Sequence, residues 1–199
     1  MPEEAFPSSS TKEKLIQAGI QAFYEKGYSD ASLRQICKDC GVTTGAFYFC
    51  FSSKEALFCA IVDPVIRALT ALGEELSAKE VLDPSTGQDH DREMMKFELL
   101  HRREILILAE RSAGSCRENF RELCLANLIR FFTASFTAAI GHKPDPKVIR
   151  LLAELRYEGN LSILKGNYTM EQTLLFNGIL SAYADGGFKQ LIQQYKDVL

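Results

Sequence analysis

Four cysteines in the N-terminal third of the chain are the residues whose type and spacing could bind a metal or sense an oxidant. Cys37 and Cys40 form a C-x-x-C motif, and Cys50 and Cys59 follow at spacings loosely compatible with a zinc site. A redox-active C-x-x-C pair needs a helix N-terminus to lower the pKa of its thiol, whereas this pair lies near the C-terminal end of a short predicted helix. We therefore predict small buried side chains here, with a metal site or a thiol sensor as the alternative.

Other catalytic chemistry has little support in the sequence. The three histidines, His90, His101 and His142, lie in separate segments, and the sequence contains neither a P-loop nor a G-x-S-x-G motif. The paired E-x-x-H units of di-iron helical bundles are also missing. We predict that the protein is not an enzyme and needs no cofactor.

The stretch GVTTGAFYFCFSSKE, residues 41–55, places four aromatic side chains beside two threonines and two serines. Each residue of a helix turns by about 100°, so Phe47 and Phe51 share one face. Tyr48 and Phe49 lie on roughly the opposite face. We predict that Phe47 and Phe51 pack in a core. We expect the outward aromatics to contact a partner, because exposed apolar patches commonly mark interaction surfaces.

Helix-capping signals divide the region around this stretch into three short elements and the start of a longer helix. The starts are capping boxes at Ser10 to Glu13 and Ser32 to Gln35, then Thr43, then Ser52 or Ser53, and the stops are Gly27 and Gly41. Three compact helices followed by a long helix predict a small N-terminal head.

The remainder of the chain also has helical periodicity. After a turn cluster at residues 83–87, amphipathic stretches run from 91 to 113, 117 to 140, 146 to 165 and 170 to 195, with Gly114, Gly141 and Gly166 at their ends. Asp145 before Pro146 and a capping box at Thr169 to Gln172 mark two of the starts. We predict an all-α protein with a flexible tail at 1–9, a head at 10–53 that extends to about 62 with the start of the connecting helix, and a larger helical domain at 54–199.

Composition is typical of a globular protein, with 46% hydrophobic and 25% charged residues in 199. No apolar run approaches a membrane span, and the acidic start has no signal peptide, so we expect a cytoplasmic location without membrane contact and with reduced thiols. The net charge is -3, yet six basic and four acidic side chains lie between Lys12 and Lys54.

A short helix, a turn with glycine and a second short helix with outward polar residues form the helix-turn-helix layout. Residues 31–62, ASLRQICKDCGVTTGAFYFCFSSKEALFCAIV, resemble the DNA-binding head of TetR-family transcriptional regulators, and the resemblance covers about residues 10–62. The residues that match the family pattern without a gap are Ile36, Gly41, Val42, Gly45, Tyr48, Phe51, Ser53, Lys54, Glu55 and Leu57. Cys37 and Cys40 occupy positions where the family usually has alanine.

The resemblance implies three contacts with DNA phosphates. Ser32 and Lys54 lie at helix N-termini, where a hydroxyl, an ammonium and backbone N–H groups suit a phosphate. Tyr48 would donate its hydroxyl to another phosphate. The alternative for Tyr48 is a structural tyrosine that closes the small core.

The resemblance also implies contacts with bases. Thr43 and Thr44 open the recognition helix and could reach base edges in the major groove, and Gly45 would let the backbone approach the DNA. Phe49 could contact a thymine methyl or simply fill a gap. Thr44 replaces a frequent Lys or Arg, and Phe49 and Cys50 replace a frequent His and Tyr, which predicts a shallow salt dependence. A helical small-molecule-binding or carrier module without DNA binding is therefore the second hypothesis.

For the larger domain, the resemblance implies an effector pocket and a homodimer paired through residues 146–165 and 170–183. Two heads would then lie about 34 Å apart on a palindromic operator, as in a repressor that an apolar or aromatic effector releases. Pro64, inside the fourth helix, is the predicted hinge, with a boundary between two helices as the alternative. The candidate effector-binding residues are Phe97, His101, Phe132, Phe136, Arg156 and Tyr157, although the polar ones could equally be solvated or face a second subunit.

Overall fold

The protein is all-helical over the residues described by the computed structural model, 9–82 and 87–195. The helices in that part of the chain are α1 (Ser9–Asp30), α2 (Leu33–Asp39), α3 (Thr44–Cys50), α4 (Lys54–Leu82), α5 (Gly87–Leu100), α6 (Arg102–Glu110), α7 (Phe120–Ile140), α8 (Pro146–Lys165) and α9 (Met170–Tyr195). The predicted fold class, a helix-turn-helix head followed by a long helix and a larger helical part, is confirmed. The predicted tail at 1–9 falls almost entirely outside the described residues, as do most of the turn cluster at 83–87 and the side chain of Ser10 in the first capping box.

Glycines end the first two helices as the sequence predicts. Gly27 has φ 79° and ψ 165°, a conformation that is essentially restricted to glycine, and it interrupts α1 three residues before its end at Asp30. Gly41 has φ 68° directly after α2. These two stops fix the lengths of α1 and α2 and hence the compact arrangement of the head.

Side-chain caps start the later helices at the predicted residues. Thr43 accepts a hydrogen bond from the N–H of Ala46 at 3.1 Å, and Ser53 accepts one from the N–H of Ala56 at 3.0 Å. Asp145 caps α8 in front of Pro146, and the capping box at Thr169 to Gln172 forms in both directions. The predicted box at Ser32 does not form, because Gln35 instead donates to Asp39.

Two predicted helices have different bounds in the structure. The stretch 91–113 is not one helix: it breaks at His101 into α5 and α6, and the residues after Glu110 form turns. The helix predicted from 117 begins at Phe120, because Arg117 lies in these turns. No proline or glycine marks the break at His101, so local sequence signals did not predict it.

Contacts between Cα atoms divide the chain into two compact units. Unit 1 contains the described residues up to Thr70 together with His101–Phe120, and unit 2 contains Ala71–Leu100 and the residues from Arg121 onward. The core of unit 1 includes Phe23, Phe47 and Phe58, all fully buried. The segment that contains α6 therefore belongs to the same unit as the head.

Two helices are long and apolar enough to cross a membrane by length and composition: residues 54–79 with mean hydropathy 1.7 and residues 120–140 with 1.6. The expectation that no apolar segment approaches the length of a membrane span is therefore wrong. The criterion is weak evidence for a membrane span, because core helices of soluble proteins also meet it. In α4, Leu57, Phe58 and Val62 are fully buried in unit 1, which accounts for part of its apolar character.

Candidate nucleic-acid interface and ligand cavity

The two faces of α3 divide as the sequence predicts. Phe47 is 0% and Phe51 6% exposed, and their rings are 5.7 Å apart. On the outward face, Tyr48 is 56% and Phe49 69% exposed. The two buried phenylalanines anchor α3 from behind, so that the outward aromatics stay available to a partner.

The N-terminal end of α3 is also exposed. Thr43, Thr44 and Gly45 all lie at the surface of the head. The Thr43 hydroxyl oxygen already accepts the capping bond from Ala46, whereas Gly45 has open space around it. A Cβ atom on Gly45 would meet only the Thr43 hydroxyl at 3.9 Å, so packing within the protein does not require a glycine at this position.

Ser32 lies at the exposed N-terminus of α2, and its hydroxyl forms no capping hydrogen bond with the helix. The hydroxyl therefore remains free to bind an external acceptor such as a phosphate oxygen. The structure thus brings Ser32 and the outward residues of α3 into one small head, and their contact with DNA remains a prediction.

Lys54 forms several hydrogen bonds within the head. Its ammonium donates hydrogen bonds to the backbone oxygens of Tyr28 at 2.6 Å, Ser29 at 3.3 Å and Ala31 at 3.2 Å. It also lies 4.4 Å from the centre of the Tyr28 ring. Because all three ammonium protons have protein acceptors, the Lys54 side chain caps the C-terminal end of α1, and its contact with a DNA phosphate stays a prediction.

The C-x-x-C cysteines are packed in the head as small side chains. Cys37 is 2% exposed, and burial raises the pKa of its thiol, with the neighbouring Cys40 adding to the rise. The Cys40 thiol lies 3.5 Å from the Cys37 backbone oxygen. A raised pKa disfavours the thiolate, the form needed for metal binding or redox attack.

Unit 2 contains an apolar cavity of about 420 Å³ between α7, α8 and α9. It brings together three of the predicted effector-binding residues, Phe132, Phe136 and Arg156. Phe97, His101 and Tyr157 are not among the residues that line it, and His101 belongs to unit 1. The prediction missed the lining residues Leu152, Leu155, Leu180, Tyr183, Phe188 and Leu191.

A signal for the missed residues was present in the sequence. Leu180, Ala184, Phe188 and Leu191 recur at intervals of three and four, which places them on one face of α9. Helical periodicity alone does not distinguish a filled core from a cavity wall, so this pattern does not predict a cavity. Phe136 lies in a cluster with Ile149 that several of these residues border.

Polar groups are buried beside α9 in unit 2. Arg156 forms an ion pair with Asp91, and the Ser181 hydroxyl donates to the same carboxylate. Burial raises the pKa of Glu98 to about 7, with Asp91 adding to the rise and Arg156 opposing it. Although Glu98 as a whole residue keeps partial exposure, protein atoms surround its carboxyl group, so the neutral acid is favoured in the folded state.

Replacing Glu98 with Gln should remove a pH-dependent loss of stability. An acid whose pKa is raised on folding contributes stability that is fully present below its unfolded pKa and is lost as pH rises through its folded pKa. For Glu98 the ordinary pKa is 4.5 and the folded pKa is about 7, so the loss occurs between these pH values. We expect Glu98→Gln to abolish a decrease of at most about 3 kcal/mol in the free energy of unfolding. Urea unfolding at fixed protein concentration from pH 4.5 to pH 8 measures it.

Glu74→Gln is the matched control for this prediction, because Glu74 is an exposed carboxylate in the same unit. It should unfold with the same pH dependence as the wild type. Parallel pH profiles for Glu98→Gln and the wild type would show that the Glu98 carboxyl titrates alike in the folded and unfolded chains.

The short α2 is followed by a turn at Gly41 and then by α3, which exposes one face and buries Phe47 and Phe51 on the other. This arrangement is a helix-turn-helix. Residues 15–61 match the family described as bacterial regulatory proteins, tetR family. The resemblance to this family thus covers the N-terminal part of the chain, which contains the helix-turn-helix.

Curated relatives resemble mainly the N-terminal part of the chain. The uncharacterized HTH-type transcriptional regulator YerO of Bacillus subtilis (strain 168) is 34% identical over 83 residues, 38% of this chain and 29% of its own length. The HTH-type transcriptional regulator UidR of Escherichia coli (strain K12) is 36% identical over 84 residues, 42% of this chain and 41% of its own length. The matches thus cover less than half the length of these relatives.

Solved structures resemble the fold of most of the chain. A transcriptional regulator (TerR/AcrR family) from Aquifex aeolicus VF5 has a TM-score of 0.61 and 20% identity, covering 87% of this chain and 99% of that one. NalD, the secondary repressor of the MexAB-OprM multidrug efflux pump in Pseudomonas aeruginosa, has a TM-score of 0.56 and 22% identity. The match covers 85% of this chain and 92% of that one. At these identities the likeness concerns the fold alone.

Proposed function

We propose that this protein is a ligand-responsive transcriptional regulator, and specifically a repressor, that binds a palindromic operator as a homodimer and is released by a small-molecule effector. The observation that carries the proposal is the outward face of α3, where Tyr48 and Phe49 are exposed while Phe47 is fully buried. A short helix that is anchored by buried residues on one face and exposes polar residues and a glycine at its N-terminal end is suited to the major groove. The named relatives, which are transcriptional regulators, support the same function.

The homodimer is supported by apolar stripes on α8 and α9. Leu175, Ile179 and Tyr183 recur every four residues along α9 and are 59%, 59% and 78% exposed, and Leu151 and Leu155 on α8 are 56% and 62% exposed. The opposite face of α9 carries buried polar residues, so these apolar side chains lie outside the core of unit 2, with Leu155 and Tyr183 also at the edge of the cavity. A contiguous exposed apolar surface of this kind is suited to a second copy of the chain.

The effector would bind in the cavity of unit 2. Its walls are mostly aromatic and aliphatic, with the Arg156 guanidinium among the few polar groups, which favours an apolar or aromatic ligand.

Pro64 remains the proposed hinge. α4 continues through it as one helix, which excludes a boundary between two helices at this residue, and the proline is exposed. A proline inside a helix removes one backbone hydrogen bond, so bending at this point costs less than elsewhere. We also propose a cytoplasmic location, in keeping with action on bacterial DNA.

Titration of the DNA upstream of the protein's own coding region tests the function. We expect saturable binding of two chains per site that weakens as salt rises from about 50 to about 200 mM. Tyr48→Phe should weaken binding about 3- to 10-fold on every operator sequence, because it removes one phosphate hydrogen bond. Thr44→Ala should instead change the relative affinity for operators that differ in single base pairs.

Tyr168→Phe provides the matched control, because it removes the hydroxyl of a 44% exposed tyrosine in unit 2. It should leave DNA affinity unchanged. Binding that does not distinguish the operator from unrelated DNA, together with ligand binding to unit 2, would favour the carrier module over the regulator.

A further inference from the structure

Two cysteines that are 57 residues apart in the sequence lie side by side in unit 1. Sγ of Cys59, on α4, is 3.0 Å from Sγ of Cys116, in the turns that follow α6. Both are free thiols, with Cys116 exposed and Cys59 half-buried. Neither belongs to the C-x-x-C motif, so this pair is a separate thiol site.

Contacts on both sides hold Cys59 and Cys116 together. Glu55, Cys59 and Asp63 are four residues apart and therefore share one face of α4. The N–H of Cys116 donates to Glu55 Oε1 at 3.0 Å, and the Arg117 guanidinium donates to the two carboxylate oxygens of Asp63 at 2.9 and 3.1 Å. The sulfur contact thus lies in the middle of an ordered set of bonds between α4 and residues 116–117.

The other end of the same segment is bound to α1. The N–H of Tyr28 donates to the backbone oxygen of Arg111 at 2.8 Å, and the Ser29 hydroxyl donates to that of Ala113 at 2.6 Å. The segment 111–117 is therefore fastened to two helices of the head. Closing a disulfide requires the sulfurs to approach by about 1 Å, to a bond length of about 2.05 Å.

We propose that Cys59 and Cys116 are a reversible oxidation site, at which a peroxide converts the two thiols into a disulfide that links α4 to the segment 111–117. The Cys116 thiolate attacks a peroxide oxygen, the O–O bond breaks, and Cys116 becomes a sulfenic acid as the leaving oxygen departs as water or an alcohol. The Cys59 sulfur then attacks the sulfenic sulfur, and the displaced hydroxide takes the Cys59 proton as water. Two electrons pass from the two thiols to the peroxide, and a dithiol reductant reverses the bond.

The surroundings assign the two steps to different cysteines. Cys116 is exposed and meets the oxidant first. Burial raises the pKa of Cys59 to about 12, with the neighbouring Cys116 and Asp63 adding to the rise and Arg117 opposing it. The raised pKa protects Cys59 from direct oxidation, and its attack on the Cys116 sulfenic sulfur depends on the 3.0 Å contact between the two sulfurs and on transfer of its proton to the leaving hydroxide.

Peptide mapping of the full chain after brief treatment with hydrogen peroxide tests this oxidation site. After alkylation of the remaining thiols, we expect the peptides that contain Cys59 and Cys116 to be joined within one chain, at least 10-fold more abundantly than any other cysteine pair. A dithiol reductant should restore both thiols, and the joined form should melt at a higher temperature than the reduced form. The assay contains no DNA, so its outcome is independent of whether the head binds an operator.

Single substitutions separate the two steps. Cys59→Ser should leave a Cys116 sulfenic acid that a dimedone probe traps, whereas Cys116→Ser should leave Cys59 reduced and unlabelled. Cys50→Ser, at a half-buried cysteine of α3, is the control that should join Cys59 to Cys116 like the wild type. Pairing scattered among the six cysteines, links between chains, or oxidation of Cys116 beyond the sulfenic acid in the wild type would overturn the proposal.

Discussion

Lys54→Met is expected to lower the free energy of unfolding by about 2 to 4 kcal/mol. The substitution keeps the aliphatic stem but removes the ammonium that donates to the oxygens of Tyr28, Ser29 and Ala31. Hydrogen bonds from a charged group contribute about 1.5 to 3 kcal/mol, and a cation over an aromatic ring adds about 0.5 to 2 kcal/mol. The carbonyl oxygens at the end of α1 then lose their donor in a half-buried position, so the cost exceeds that of removing a surface charge.

Lys38→Met is the matched control for Lys54→Met, because Lys38 is an exposed lysine in the same head. It removes the same charge and should change stability by less than about 0.5 kcal/mol. Urea unfolding followed by circular dichroism measures both variants. A Lys54→Met protein as stable as the Lys38→Met protein would contradict the capping role.

The salt dependence of DNA binding separates capping by Lys54 from a direct phosphate contact. A lysine that neutralises a phosphate contributes about 0.9 to the slope of log affinity against log salt. Because the Lys54 ammonium is bound inside the head, Lys54→Met should retain the wild-type slope under conditions where it is folded. A slope reduced by about one would instead support the phosphate contact that the sequence predicts.

The head was predictable because its signals are local. Thr43, Gly27 and Gly41 act within three or four residues of their own positions, and each has the predicted conformation or hydrogen bond. The two faces of α3 follow from helical geometry alone once its start is known. Ser32 shows the limit of a local signal, since the capping box fails when Gln35 has Asp39 as a closer partner.

The features that the sequence did not predict depend on residues far apart in the chain. The acceptors of Lys54 precede it by 23 to 26 residues, and Cys116 follows Cys59 by 57. Neither spacing corresponds to a known motif. The thiol site therefore shares only Cys59 with the cysteines that the sequence analysis considered, Cys37, Cys40, Cys50 and Cys59. The C-x-x-C spacing resembles a motif, but Cys37 is buried and Cys40 half-buried in the head.

The outward apolar surface of α9 illustrates the same limit. Thr173, Asn177 and Ser181 are polar residues at intervals of four, which a simple pattern places in solvent, yet each is at most 2% exposed. Ser181 is buried because it donates to Asp91 on α5, ninety residues earlier. Which stripe of α9 faces inward was thus decided by a polar partner, and this inversion leaves Ile179 and its neighbours exposed.

Gly45→Ala is expected to weaken operator binding about 10- to 100-fold while leaving the protein folded and slightly more stable. Alanine in place of an exposed helical glycine stabilises a helix by about 0.5 to 1 kcal/mol. A Cβ atom here meets nothing in the protein closer than the Thr43 hydroxyl at 3.9 Å. On DNA, the same methyl group would lie between the α3 backbone and the groove, and forcing an extra methyl into a packed contact costs about 1 to 3 kcal/mol. Fluorescence anisotropy with the operator and thermal unfolding measure the two effects.

Gly73→Ala is a closely matched control for this effect. Gly73 lies in α4, and a Cβ atom there would meet only the end of the Met94 side chain, also at 3.9 Å. It should therefore stabilise the protein as much as Gly45→Ala does, with unchanged DNA affinity. Equal affinity of Gly45→Ala and the wild type would mean that the α3 backbone does not approach DNA closely at this residue. An equal loss in both variants would instead indicate an indirect effect of helix stiffness, because only Gly45 lies on the proposed DNA-binding face.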